Sequence, residues 1–329
     1  MKNMEMNGTE AEEKKVFKSQ RSPARGNKTM FFFLLYVITV IIVMTAVMLI
    51  RGLHIESLFS IALTQIICVF IPFLFYLLFT RQKPNAVLNL APIGIENTVL
   101  VIALTLAFTP FVHFISRLSA FVFFPITISL EGYSIWLVLL VVAVFPSVFE
   151  EIFMRGALYS EFERLPIKKI ALITGLFFGI MHLNFHQAIY TGILGILWAY
   201  ARYYTRTVLA PVLMHFIHNG LFILLSFSET YMSWYLELWE TPLMFLLIHG
   251  FLSAVLFPVF FICFKKLKAN SAVPQENTDT ADGALPQENT DTTDTEEEEK
   301  PKTFTWAFWA VLVLFLLFSG LVEAGMRYL

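Results

Sequence analysis

Pro146-Ser147-Val148-Phe149-Glu150-Glu151-Ile152-Phe153-Met154-Arg155 lies inside an apolar stretch, 133–160, long enough to cross a bilayer. A charged side chain at the bilayer centre costs at least ~2.5–3.5 kcal/mol on insertion scales. Three such residues within six positions therefore mark a polar site that has partners and work. Two later apolar stretches carry polar groups in the same way. One holds Phe178, His182 and Asn184, and the other holds His215, His218 and Asn219. Three neighbouring segments bearing this cost imply one shared polar site between central helices.

The composition agrees with a membrane setting. The chain has 329 residues, 57% of them hydrophobic and only 15% charged, against roughly a quarter charged in soluble domains. The expected fold class is all-α, a polytopic transmembrane helix bundle of about eight or nine spans with a polar catalytic cavity between its central helices. Spans are expected at 30–50, 57–80, 96–122, 133–160, 168–184, 187–204, 207–228, 241–264 and 304–322. The third contains Pro110, His113 and Arg117 and reads as either one tilted helix or a broken one. The first is too long for a signal-peptide core and reads as retained. Cys68 and Cys263 sit in apolar runs without metal-ligand spacing and read as buried free thiols.

Residues 1–29 read as a disordered basic cytoplasmic tail. The transmembrane domain is expected over 30–264, with its catalytic core at about 133–228. Residues 265–303 read as an acidic disordered linker. In it Pro-Gln-Glu-Asn-Thr-Asp-Thr occurs at 274–280 and again at 286–292, a period of 12, before a last span within 304–329. With nine spans and the N-terminus in the cytoplasm, 20 of the 23 Lys and Arg residues fall on the cytoplasmic side, leaving Arg51, Arg117 and Arg327. The chain is thus expected to be an integral, multi-pass protein of a prokaryotic plasma membrane, N-terminus inside. Its expected surroundings are the lipid bilayer, and no nucleic-acid partner is expected.

Spacing assigns the polar groups their faces. Glu151 and Arg155 are i,i+4 and meet on one helix face, which predicts a pair that holds the site in place. Glu150 is rotated about 100° away and is expected to be left as the free carboxylate, suited to accept a proton. His182 follows Gly175 and Gly179 on one stripe, at a depth near that of Glu150, where small residues let another helix approach. His215 and Asn219 are also i,i+4 and could donate together to a carbonyl oxygen that develops charge. His218 and His186 are weaker candidates. Pro146 precedes Glu150 by four, and Pro211 precedes His215 by four. Each is expected to kink its helix and open room for water or substrate backbone. Ser147 is the only nucleophile candidate beside a base, and no His-Glu-x-x-His is present. Zinc needs only three protein ligands, so Glu150, His182 and His215 would be the set if a metal were bound. No metal spacing is legible, and none is favoured.

Glu-Glu-x-x-x-Arg at 150–155, Phe-x-x-x-His at 178–182 and His-x-x-x-Asn at 215–219, in this order on separate helices, resemble the CAAX-protease and bacteriocin-processing (CPBP/Abi) family. The resemblance implies an intramembrane endopeptidase in which Glu150 and His182 activate water and His215 and Asn219 form the oxyanion site. Glu151, Arg155 and Phe178 would support them. It implies a peptide or protein substrate at the membrane, which in the CAAX case carries a prenylated C-terminal tail, and it leaves glutamate-type and metal-dependent hydrolysis both open. The glutamate mechanism is favoured here. Two other classes remain on the residues alone. Buried Glu and His also build proton-coupled transporters, and a non-catalytic scaffold or immunity protein would bind peptides without cutting them.

Overall fold

The computed structural model describes residues 33–34, 37–39, 41–42, 57–125, 132–163, 165–226, 237–238, 240–271 and 306–327. Nine helices can be followed among the described residues, and no strand. They are α1 (Leu58–Thr80), α2 (Pro84–Leu88), α3 (Ile95–Ser119), α4 (Ile135–Phe162), α5 (Ile167–Ile180), α6 (Phe185–Thr205), α7 (Leu209–Ser226), α8 (Pro242–Ala269) and α9 (Trp306–Arg327). The chain is an all-α polytopic bundle. The tail 1–29, most of the expected first span and the repeat at 274–292 lie outside the described residues.

Five described helices, α1, α3, α4, α8 and α9, are long and apolar enough to cross a membrane. At the centre of the chain, three of the nine expected spans fall on further helices, α5, α6 and α7, which are not among these five. The stretch 168–184 reads as a crossing, and the helix within it, α5, has 14 residues, about 21 Å at ~1.5 Å per residue against a ~30 Å hydrocarbon core. It stops because Asn184 starts the next helix. The Asn184 side chain accepts from Gln187 N at 2.9 Å as the N-cap of α6, and Leu183 before it turns left-handed at φ 49°. α6 has the length but carries His186, Gln187 and Arg202, and α7 is apolar over Leu209–Leu225 among the described residues. α3 is continuous through Pro110, so the broken alternative is not adopted. α8 continues to Ala269 with Lys266 and Lys268 in its last turn, where cations suit the negative end of the helix dipole. The start of the linker at 265 is therefore helical. Cys68 and Cys263 are both buried and free.

Glycine lets α5 and α6 meet at backbone distance. A β-carbon on Gly179 would fall 2.5 Å from Ala188 O, and one on Gly175 would fall 2.8 Å from Gly192 O. One on Gly195 would fall 2.9 Å from Gly175 Cα and 3.2 Å from Arg155 Nη2. Such close approach replaces the hydrophobic drive that helices lack in lipid. On the other side, α1 lies along α4. Gln65 meets Glu150 and Tyr76 meets Glu161, both with a sequence offset of 85, so the two helices run parallel and in register. Phe70 packs on Phe149, next to Glu150, ring centroids 5.0 Å apart.

Since the atom facing Gly179 is a backbone oxygen, the neighbouring helix cannot yield locally. Gly179→Val is expected to cost about 1–3 kcal/mol or more by overpacking, read as a lowered thermal unfolding midpoint in detergent. An unchanged midpoint would contradict the close α5–α6 approach.

Candidate active site

The polar residues of α4 sit on an irregular helix. A π-helical turn, Leu139–Val144, precedes the α-helical turns Phe145–Glu151, and a second, Ile152–Leu158, follows. Such turns are rare and cluster at functional sites. Pro146 has no N–H to give Val142 O, one turn back. The Asn219 side chain fills that place, its amide Nδ2 donating to Val142 O at 3.0 Å. The room expected there for water or substrate backbone is thus occupied by Asn219. Pro211 breaks no helical hydrogen bond, because it lies in the first turn of α7, where a helix N–H has no partner to lose.

Arg155 and Glu151 have no exposed surface and are ion-paired, with Nη1 at 3.1 Å from Oε2 and 3.2 Å from Oε1. Arg155 Nη2 donates to Gly195 O at 2.9 Å, a reach that the missing side chain at Gly195 permits. The guanidinium carbon stands 4.5 Å from the Phe178 ring centroid and 5.5 Å from that of Trp198. One cation therefore ties α4 to the end of α5 and the middle of α6. Glu151 Oε1 also takes His215 Nδ1 at 2.9 Å, which brings in α7. A paired carboxylate only accepts, so Nδ1 carries the His215 proton. His215 Nε2 then accepts from Asn219 Nδ2 at 3.1 Å. Trp198 stacks on His215 with centroids 4.4 Å apart.

His182 is not within a helix as its stripe predicts. It lies in the turn after α5 and is half-buried. Its Nδ1 lies 2.8 Å from Phe178 O. A carbonyl accepts only, so Nδ1 carries the proton and Nε2 is left as the ring's acceptor. The Phe178 ring is edge-on to both His182 and His215, at 5.2 and 5.8 Å, and so it joins the two histidines.

Glu150 is 6% exposed and lies within electrostatic range of His215, Glu151 and Arg155. The expectation of a free carboxylate is corrected on one oxygen. Gln65 Nε2 donates to Glu150 Oε1 at 2.6 Å, while Glu150 Oε2 is buried without a hydrogen-bond partner. His215 in turn is within range of Glu150 and His182. The seven residues Glu150, Glu151, Arg155, Phe178, His182, His215 and Asn219 thus form one connected cluster.

Other candidates fall elsewhere. Asn184 is spent on the α6 cap. His186 reaches across to α3, its Nε2 3.1 Å from Ser116 O. His218 faces Trp198 edge-on at 6.4 Å and lies in range of His113. Ser147 Oγ donates to Val144 O at 2.9 Å, which spends its proton on the local backbone. Among the described residues, no three His, Cys, Asp or Glu groups come together as a metal site. Glu150, His182 and His215 are therefore not grouped as a ligand set here, and no step is assigned to a metal.

Several residues at the site escape motif reading. Gln65 carried a signal, an amide inside the apolar run Ile-Ala-Leu-Thr-Gln-Ile-Ile-Cys (61–68). Trp198 and Gly195 carried none, since aromatic and small residues are ordinary in such helices. Arg202 Nε donates to Arg155 O at 3.4 Å, and its cation lies over Tyr159 at 5.4 Å.

Residues 132–221 match the family model described as type II CAAX prenyl endopeptidase Rce1-like. That span contains all seven clustered residues and excludes Gln65. It is consistent with the CAAX-protease and bacteriocin-processing family and supports a CAAX-type intramembrane protease as the general class. Searches of curated proteins and of solved structures each returned no match.

Removing one member of a fully buried ion pair strands the other charge, at about 3–5 kcal/mol. Arg155→Met should therefore unfold at markedly lower denaturant than the parent, and Glu151→Gln added to it should restore part of the loss. A single variant as stable as the parent would show that the pair does not hold the helices together.

Proposed function

We propose that the protein is a glutamate-type intramembrane endopeptidase that hydrolyses a peptide bond with a water held between Glu150 and His182. The observation that carries this reading is the pair of acceptor atoms that the cluster leaves uncommitted, Glu150 Oε2 and His182 Nε2. Both side chains are held by their other polar atom, one by Gln65 and the other by Phe178 O. A water donating to these two acceptors has its oxygen lone pair free to attack a carbonyl carbon. Glu150 takes the water proton as the C–O bond forms, then passes it to the leaving amine as the C–N bond breaks. The carboxylate ends as it began.

His215 and Asn219 are proposed as the oxyanion site, with Asn219 Nδ2 as the donor and His215, whose proton goes to Glu151, as the ring that holds that amide. Both are committed without substrate, because Asn219 Nδ2 serves Val142 O and His215, and His215 Nδ1 serves Glu151. An arriving carbonyl oxygen must displace Val142 O or His215 from the amide. Donors already fixed near the reacting atom act strongly where water is excluded. Glu151 and Arg155 then act through His215, holding its ring between α4 and α7.

The substrate class is a peptide or protein segment at the membrane, and a prenylated C-terminal tail is the form that the matched family's description suggests. The N-terminus is proposed to lie in the cytoplasm, because the nine-span reading then assigns most Lys and Arg to inside loops. The test is cleavage of a prenylated CaaX peptide by the purified protein. Glu150→Gln and His182→Ala, each folded as judged by melting, should lower kcat by about 10²–10⁴-fold, and a chelator should leave the parent's turnover unchanged. Retained cleavage in Glu150→Gln would remove Glu150 as the base, and activity lost in chelator and regained with zinc would replace the mechanism with a metal-dependent one.

A further inference from the structure

A glutamine on α1, outside the segment that matches the protease family, touches the proposed base directly. Gln65 is 9% exposed and begins the π-helical turn Gln65–Phe70 of α1. Its Nε2 donates to Glu150 Oε1 at 2.6 Å, a short contact for a hydrogen bond to a carboxylate. Its own Oε1 is buried without a hydrogen-bond partner. An amide serving only its own helix would have both ends satisfied, because an unpaired buried polar atom costs free energy. Here the end that faces Glu150 is the bonded one.

The rest of α1 is built to keep that contact in register. Tyr76 OH donates to Glu161 Oε1 at 2.8 Å with the same 85-residue offset. Beside the Gln65 bond, Phe70 and Phe149 pack at 5.0 Å. Gln65 is thereby placed from a helix clamped to α4 over three turns. Its donation removes one of the two carboxylate oxygens from competition, so that Oε2 alone faces the reaction.

We propose that Gln65 is a positioning residue of the hydrolytic site, holding the Glu150 carboxylate in the orientation in which Oε2 takes the proton from water. This rests on the protease reading above. Gln65 touches no reacting atom and acts through Glu150, so the predicted signature lies in the chemical step and in the reactivity of that carboxylate.

The test uses the full chain in detergent or nanodiscs with Gln65→Met, which keeps side-chain length and loses the donor. Gln65→Asn, an amide too short to reach, is the second variant if the first does not fold. Two quantities are read, turnover of a prenylated CaaX peptide and the rate at which dicyclohexylcarbodiimide modifies Glu150, followed by mass spectrometry. In a variant that melts like the parent, kcat should fall about tenfold or more with KM within about twofold, the mark of lost orientation rather than lost binding. Glu150 should be modified about threefold faster or more, because the donor that held charge on the carboxylate is gone. Turnover like the parent's, or Glu150 labelling no faster than the parent's, overturns the proposal. If the parent leaves the peptide intact while Gln65→Met still quickens labelling of Glu150, the protease reading fails and the Gln65–Glu150 coupling stands.

Discussion

A guanidinium with no access to water has to be neutralised and solvated by the protein, and in this chain that requirement falls on four helices at once. Arg155 draws its counter-charge from Glu151, a turn earlier on its own helix, and a carbonyl from Gly195 of α6. Its faces rest on the rings of Phe178 and Trp198. Glu151 is shared in turn with His215 of α7. Buried pairs of this kind contribute little net stability, since desolvation offsets the attraction. Their effect is geometric, because any arrangement that separates the partners leaves a bare charge in a dry interior.

Glycine packing and charge pairing depend on one another here. Arg155 reaches Gly195 O only because no side chain intervenes, and the same absence lets Gly195 approach Gly175 of α5. α5 then ends in the turn that presents His182. At the opposite face of α4, the proline at 146 leaves a carbonyl that Asn219 takes up. That bond ties α7 to α4 about two turns before the proposed base, in addition to the His215–Glu151 contact. Scaffold and site are therefore the same contacts viewed from two sides.

Much of this was legible in the chain and part was not. Charged residues within apolar runs pointed to α4, and i,i+4 spacing anticipated the Glu151–Arg155 pair because that spacing is set by helix geometry alone. The shared face of His215 and Asn219 followed for the same reason. The end of α5 at Ile180 is hard to see in the sequence, although Asn184-Phe185-His186-Gln187 carries an N-cap signature, because apolar residues surround that cap. The partner of Glu150 was not legible. Gln65 lies 85 positions away, and a lone amide in an apolar helix does not say which helix it faces. Prolines 146 and 211 looked alike in sequence and differ in structure, one sitting mid-helix and the other in a first turn, where the missing N–H costs nothing.

The central claim is that this cluster holds Glu150 and His182 around one water. A cryo-electron microscopy map of the full-length protein, fine enough to show ordered solvent, tests it most directly. The account predicts a water within about 3.2 Å of both Glu150 Oε2 and His182 Nε2. Glu150 and His182 separated beyond the roughly 6 Å that a single bridging water spans, with no shared solvent between them, would contradict it.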